Sequence, residues 1–268
     1  MRHANSRLRW GAALCLTGAL TTVFTPSAAA ADYSQADTTS AGSQIARVEG
    51  VGGRPAYQNL VGTIGHDVSG HQGAVDWTGA WNSGGRFVYV KTTEGTGYVN
   101  PQFGQQYNGS YAVGMTRGAY HFARPDVSGG AAQANYFLDH GGGWSADGRT
   151  LPGALDVEYN PYGDACYGKD PTAMSAWISD FSNTYRTRTG RFPTIYTSTT
   201  WWNRCTGNNK GFGGNPLWIA RYNENPGGLP SGWGKQTIWQ FADSGTLPGD
   251  QNLFDGAADA LRAFALGQ

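Results

Sequence analysis

Apolar positions along this chain fall into two alternating patterns. Short runs rich in β-branched and aromatic residues recur at 61–69 (VGTIGHDVS), 87–95 (FVYVKTTEG), 114–123, 151–158 (LPGALDVE), 193–198, 216–222 and 235–242, and they predict strands. Between them, residues 76–83, 101–112, 130–140 and 171–189 are patterned for helices, and 255–265 predicts a closing helix. In the longest of these, Ala173, Trp177, Phe181 and Tyr185 recur at helical spacing and predict a buried stripe. Strands alternating with helices imply a parallel sheet, and seven or eight such strands imply closure. The expected fold class is therefore α/β: a single irregular TIM-like β/α barrel of about eight strands. Connections 198–216 and 222–235 carry no helical pattern, so the later helices are expected to be short or missing.

Before residue 61 the pattern is different. Arg2, Arg7 and Arg9, an apolar stretch over 10–25 and small residues from Ser27 to Ala31 have the order of an export signal, with cleavage expected near Ala30 or Ala31. The apolar stretch is too short and too interrupted for a membrane span. Residues 32–60 are small, polar and unperiodic and predict an extended leader or linker, with Ile45, Val48 and Tyr57 as its candidate docking side chains. The expected organisation is a signal peptide over 1–31, a leader over 32–60 and one catalytic barrel over 61–268.

Charge then excludes one class of partner. Nineteen basic residues balance nineteen acidic ones, and without the three signal arginines sixteen bases face nineteen acids. No positive field invites nucleic acid or an anionic membrane. Cys15 lies in the signal, which leaves Cys166 and Cys205; in an oxidising compartment they predict one disulfide joining two loops.

Candidate chemistry centres on LPGALDVEYN, 151–160. Its apolar run ends in Asp156 and Glu158, which share a face if the strand continues, with Cα atoms ~6.6 Å apart at about 3.3 Å per residue. Two acids so close resist joint ionisation, and one should keep its proton, as a general acid must. Barrel active sites form at the C-terminal strand ends. Asp67, His121, Tyr196 and Gln240 also close strands and are expected in the same crater.

These residues carry a family resemblance. GHDVSGHQGAVDW (65–77), KTTEGTGYVNPQF, RGAYHFARP (117–125), LPGALDVEYNP, IYTSTTWWNRC (195–205), WIARY, TIWQF and GDQNLFDG (249–256) are similar, in this order, to glycoside hydrolase family 25 lysozymes. The resemblance spans roughly 62–266. It implies a secreted muramidase that cuts the β-1,4 bond between N-acetylmuramic acid and N-acetylglucosamine in peptidoglycan glycan strands. It implies Glu158 as general acid, Asp156 as stabiliser of developing charge or holder of the substrate N-acetyl group, and Asp67 and Asp250 as further acids of the site. Tyr120, Phe122, Tyr196 and Trp239 match aromatics of the sugar groove, Gln240 adjoins them, and His71 stands where relatives often carry tryptophan. The family's loop disulfide falls on Cys166 and Cys205. No cofactor, metal, nucleic acid or integral membrane contact is expected, and the protein is expected to be a monomer.

Retaining, inverting and substrate-assisted routes all remain open to Asp156, Glu158 and Asp67. Muramic acid carries a 2-acetamido group, which favours the substrate-assisted route. A non-catalytic wall-sugar-binding protein on the same barrel is the alternative function; it predicts loss of a carboxylate, and none is missing. A metal-dependent deacetylase built on His66, His71, His121 and Asp67 would need a ligand spacing such as H-x-x-x-H, which is absent.

Overall fold

The structure, a computed structural model, describes residues 31–50 and 60–268 together with Met1. The expected signal segment and Tyr57 lie outside the described residues, apart from Met1 and Ala31.

A closed barrel forms from eight strands: β1 (Thr63–Val68), β2 (Phe87–Glu94), β4 (Thr116–Phe122), β5 (Ala154–Asp156), β6 (Thr194–Thr197), β7 (Leu217–Ala220), β8 (Ile238–Ala242) and β9 (Asp250–Phe254). Neighbours from β1 to β8 pair in parallel, whereas β9 runs antiparallel to β8 and to β1 and closes the ring. The short link 243–249 explains that reversal, because a parallel return needs a crossover of a dozen or more residues. A two-residue strand, β3 (Tyr98–Val99), pairs antiparallel with the end of β2 outside the ring.

Helices α2 (Trp77–Asn82), α3 (Phe103–Ala112), α4 (Gly130–Asp139), α5 (Pro171–Thr189), α6 (Thr199–Thr206) and α7 (Ala258–Leu266) follow strands along the chain. The longest, α5, is bounded by local chemistry. Asp170 caps it by accepting from the N–H of Ala173 (2.8 Å), Pro171 takes a first-turn position, and Gly190 ends it with φ +79°. Its buried face is Met174, Trp177, Ile178, Phe181 and Tyr185. Ala173 is exposed, so the stripe begins one residue later than expected.

Three further expectations change. Residues 199–206, which lack an evident pattern, form α6 because Ser198 caps the N–H of Trp201 (3.1 Å) while Trp201, Trp202 and Cys205 pack inward. The supposedly extended leader contains helix α1 (Ser43–Glu49), in which Ile45 is buried and Val48 is exposed. The Cys166–Cys205 disulfide spans 39 residues and ties the loop after β5 to α6, so one of its ends is helical rather than in a loop.

Strand parity places the core. Inside the barrel Trp218 stacks on Tyr89 (4.7 Å between centroids) and meets Tyr196 edge-on (4.7 Å). Outside, His121 lies against Phe181 and Phe137 beneath α4 and α5.

Candidate active site

Four acids converge at the barrel mouth. Asp67 ends β1 and faces inward, Asp156 ends β5, Asp250 begins β9, and Glu158 stands two residues beyond β5. Asp67 and Asp156 are 1% exposed and Glu158 is fully buried.

Gln240 on β8 connects them. Its side-chain oxygen accepts from the hydroxyls of Tyr196 (2.7 Å) and Tyr222 (2.8 Å), which fixes the amide's orientation. Its nitrogen therefore points at acceptors: Asp67 Oδ2 (2.9 Å), Asp250 Oδ2 (3.2 Å) and the carbonyl of Ala41 (2.9 Å). Asn252 also donates to Asp67 Oδ2 (2.7 Å) while accepting from the indole of Trp218 (2.7 Å). Asp67 is thus held on one oxygen, and its Oδ1 is buried without a hydrogen-bond partner among the described residues.

Burial dominates the acids' protonation. It pushes Asp67 up to about 7 against the donated bonds of Asn252 and Gln240. Asp250 is raised by burial and then by the Asp67 charge, and Asp156 by burial and then by Glu158. Glu158 is pushed up by burial to about 8, although the N–H groups of Gly42, Ile45 and Gln44 oppose the shift. Both Asp156 oxygens are buried and lack a hydrogen-bond partner among the described residues. Carboxyls in this state hold protons near neutrality, and a proton is what a general acid delivers.

A second buried charge group lies beside them. Lys91 bonds Glu94 Oε2 at 2.7 Å with both side chains fully buried. Glu94 also accepts from the hydroxyl of Tyr162 (2.7 Å), and Arg124 lies 3.8 Å away. Sequence reading passed over this group, although a lysine ending the apolar run FVYV was its visible signal.

Most of the expected residues meet here. Tyr120, Phe122 and Tyr196 share the inward parity of their strands, and the hydroxyl of Tyr120 accepts from the N–H of Ala41 (3.2 Å). His71 is exposed beside a cavity of about 490 Å³ that also touches Gln72 and Asp250. Trp239 is a correction. Adjacent to inward-facing Gln240, it must point outward, and it packs with Leu217, Ile219, Phe241 and Leu253 while donating to the carbonyl of Arg221 (2.8 Å). His121 is likewise excluded from the crater: its ring bonds Thr93 and Gln133 on the helix-covered side. His66 faces out against Trp77 and bonds the carbonyl of Pro248, so the histidines do not converge with Asp67. Among the described residues no group of three His, Cys, Asp or Glu side chains is arranged to hold a metal ion.

Comparison with known proteins agrees with this geometry. The model of the glycosyl hydrolases family 25 matches residues 66–250. The chain belongs to glycosyl hydrolase family 25. This family 25 glycoside hydrolase is 49% identical over 208 residues to the N,O-diacetylmuramidase of Chalaropsis sp., covering 76% of this chain and 99% of that protein. It is 46% identical over 210 residues to Lysozyme M1 of Streptomyces globisporus, covering 76% of this chain and 71% of that protein. Among solved structures, a bacterial lysozyme from Streptomyces coelicolor superposes with a TM-score of 0.75 at 44% identity, covering 78% of this chain and 99% of that one. The closed barrel is thus that of a family 25 glycoside hydrolase. Among the described residues no helix is long and apolar enough to cross a membrane.

Proposed function

We propose that this family 25 hydrolase is a secreted, monomeric muramidase that hydrolyses the β-1,4 bond between N-acetylmuramic acid and N-acetylglucosamine in bacterial peptidoglycan. The observation that carries the reading is the convergence of Asp156 and Glu158, at the end of β5, with Asp67 and Asp250 in a mouth walled by Tyr120, Phe122 and Tyr196. Relatives that match three-quarters of the chain are named as muramidases and lysozymes, which supports the same substrate class here. The ordering of basic, apolar and small residues over 1–31 supports export.

In this reading Glu158 protonates the leaving glycosidic oxygen. The substrate's 2-acetamido oxygen attacks the anomeric carbon, and Asp156 accepts the acetamido N–H while that nitrogen gains positive charge. The absence of a protein partner on either Asp156 oxygen supports this role, since an acceptor already satisfied by the protein could not hold a substrate amide. Water then opens the cyclic intermediate, with Glu158 returning as base. Asp67 and Asp250, held by Gln240, supply negative potential around the developing cation.

The test is digestion of purified peptidoglycan by the barrel from residue 60 onward, with mass spectrometry of the fragments, for wild type and Glu158→Gln. Relatives matched over 99% of their length by about three-quarters of this chain support the choice of that barrel, and its far-UV spectrum checks that it is folded. Fragments ending in reducing N-acetylmuramic acid are expected, and loss of the acid should cost roughly 10²–10⁴-fold in rate. An inverted anomer in the first product would rule out the acetamido route. Wall binding without cleavage by either form would leave a sugar-binding barrel.

A further inference from the structure

The acids of a polymer hydrolase need an open groove, yet here they are sealed by the chain's own N-terminal segment. Residues 32–49 cross the barrel mouth and bond it at both ends and at the centre. At one end Arg124 donates to the carbonyl of Asp32 (2.6 Å), the hydroxyl of Tyr98 donates to Asp37 (2.7 Å), and Lys91 donates to the carbonyls of Ala36 (2.8 Å) and Thr39 (2.9 Å). At the other, Glu49 accepts from the hydroxyls of Tyr159 (3.0 Å) and Ser198. At the centre Ala41 bonds Tyr120 and Gln240, and the side-chain oxygens of Glu158 accept the N–H groups of Gly42 (2.8 Å), Gln44 (3.0 Å) and Ile45 (3.0 Å).

The fit is close. Ala36, Ala41 and Ile45 are at most 2% exposed. Gly42 has φ +93°, and a Cβ there would lie 1.9 Å from the Tyr222 hydroxyl and 2.5 Å from Gln240 Oε1, so no side chain is accommodated.

We propose that residues 32–50 are an intramolecular inhibitor that occupies the catalytic groove and keeps the hydrolase latent until the segment leaves it. The proposal rests on the muramidase reading for its activity readout. Inhibition has two physical parts. The segment fills the space a sugar must enter, and its three N–H groups engage the oxygens with which Glu158 would protonate the leaving group. A tethered segment acts at an effective concentration of roughly 1 mM. A free peptide with a Kd of about 10 µM would then leave about one molecule in a hundred open, a roughly 100-fold latency.

The experiment uses the exported chain with a specific protease site placed within 51–59. Peptidoglycan digestion is measured uncut, after cutting and separation of the peptide, and uncut with Gly42→Val. Cutting should raise the rate roughly 100-fold. Gly42→Val should raise the uncut rate toward the same level, and synthetic 32–50 should restore inhibition, whereas its Gly42→Val form should not. Equal digestion before and after separation overturns the proposal, provided tryptophan fluorescence shows both forms folded. If neither form digests the wall, the muramidase reading falls, and fluorescence anisotropy of labelled 32–50 still tests occupancy. Binding abolished by Gly42→Val in the peptide would uphold the docked segment; no binding would overturn it.

Discussion

Replacing Asp67 by Asn tests what a buried acid contributes to stability, and because the Asp67 charge also raises Asp250 and Asp156, the substitution relieves both in the same direction. Burial raises this carboxyl from 3.8 to about 7. The folded chain therefore keeps a proton that the unfolded chain has lost, and stability falls as pH rises from near 4 through about 7. A tenfold difference in proton affinity between the folded and unfolded chains is worth about 1.4 kcal/mol, so the full loss is about 4 kcal/mol, of which roughly 2–3 kcal/mol falls between about pH 5 and about pH 8. Asn can take the same position with little hydrogen-bond loss. Its carbonyl replaces Oδ2, which accepts from Gln240 and Asn252, and its amide replaces Oδ1, which has no partner among the described residues. His66 and His121 oppose the trend, because burial lowers both to about 4 and the fold gains stability as pH rises toward 6.5. Both histidines are present in both proteins, so their effect cancels in the difference.

The assay is urea unfolding of wild type and Asp67→Asn at about pH 5 and about pH 8. The variant should gain roughly 2–3 kcal/mol on the wild type between the two conditions, or about 5–10 °C in Tm at 2–4 °C per kcal/mol. Parallel pH profiles would show that Asp67 ionises freely in the fold and refute the reasoning.

Lys91→Met should destabilise the fold by about 3–5 kcal/mol, measured by denaturant unfolding, because fully buried Glu94 loses its nearest ion partner; Lys91→Met with Glu94→Gln should recover part of that loss. Replacing both Cys166 and Cys205 by Ser should cost about 2–4 kcal/mol through the freed 39-residue separation and leave the far-UV spectrum of the folded barrel intact. Trp239→Phe should lower stability by about 1 kcal/mol through the lost bond to Arg221 without changing KM for the wall; a raised KM would return Trp239 to the groove.

Much of the fold and the site can be read from local pattern because the underlying physics is local. Runs such as VGTIGHDVS and ALDVE, and helical spacing over 171–189, follow from strand and helix periods. Asp156 and Glu158 stand out because two acids end an apolar run. The face taken by Trp239 is another matter: KQTIWQFA carries no clean alternation of apolar and polar positions, so only pairing with its neighbours shows that Gln240 is the inward residue. The short link 243–249 sets the antiparallel direction of β9, but only its pairing with both β8 and β1 shows that it closes the ring.

Sequence alone determined the α/β class, a barrel of about eight strands, the adjacent acids Asp156 and Glu158, the cysteine pairing and the family resemblance, since these rest on local pattern, short motifs or counts; strands β3 and β9 carried no pattern that named them. Tertiary structure decided what fills the groove. Helix α1 has seven residues, too few to be stable alone. It exists because Ile45 enters the core and because three backbone N–H groups find Glu158, more than a hundred residues away along the chain.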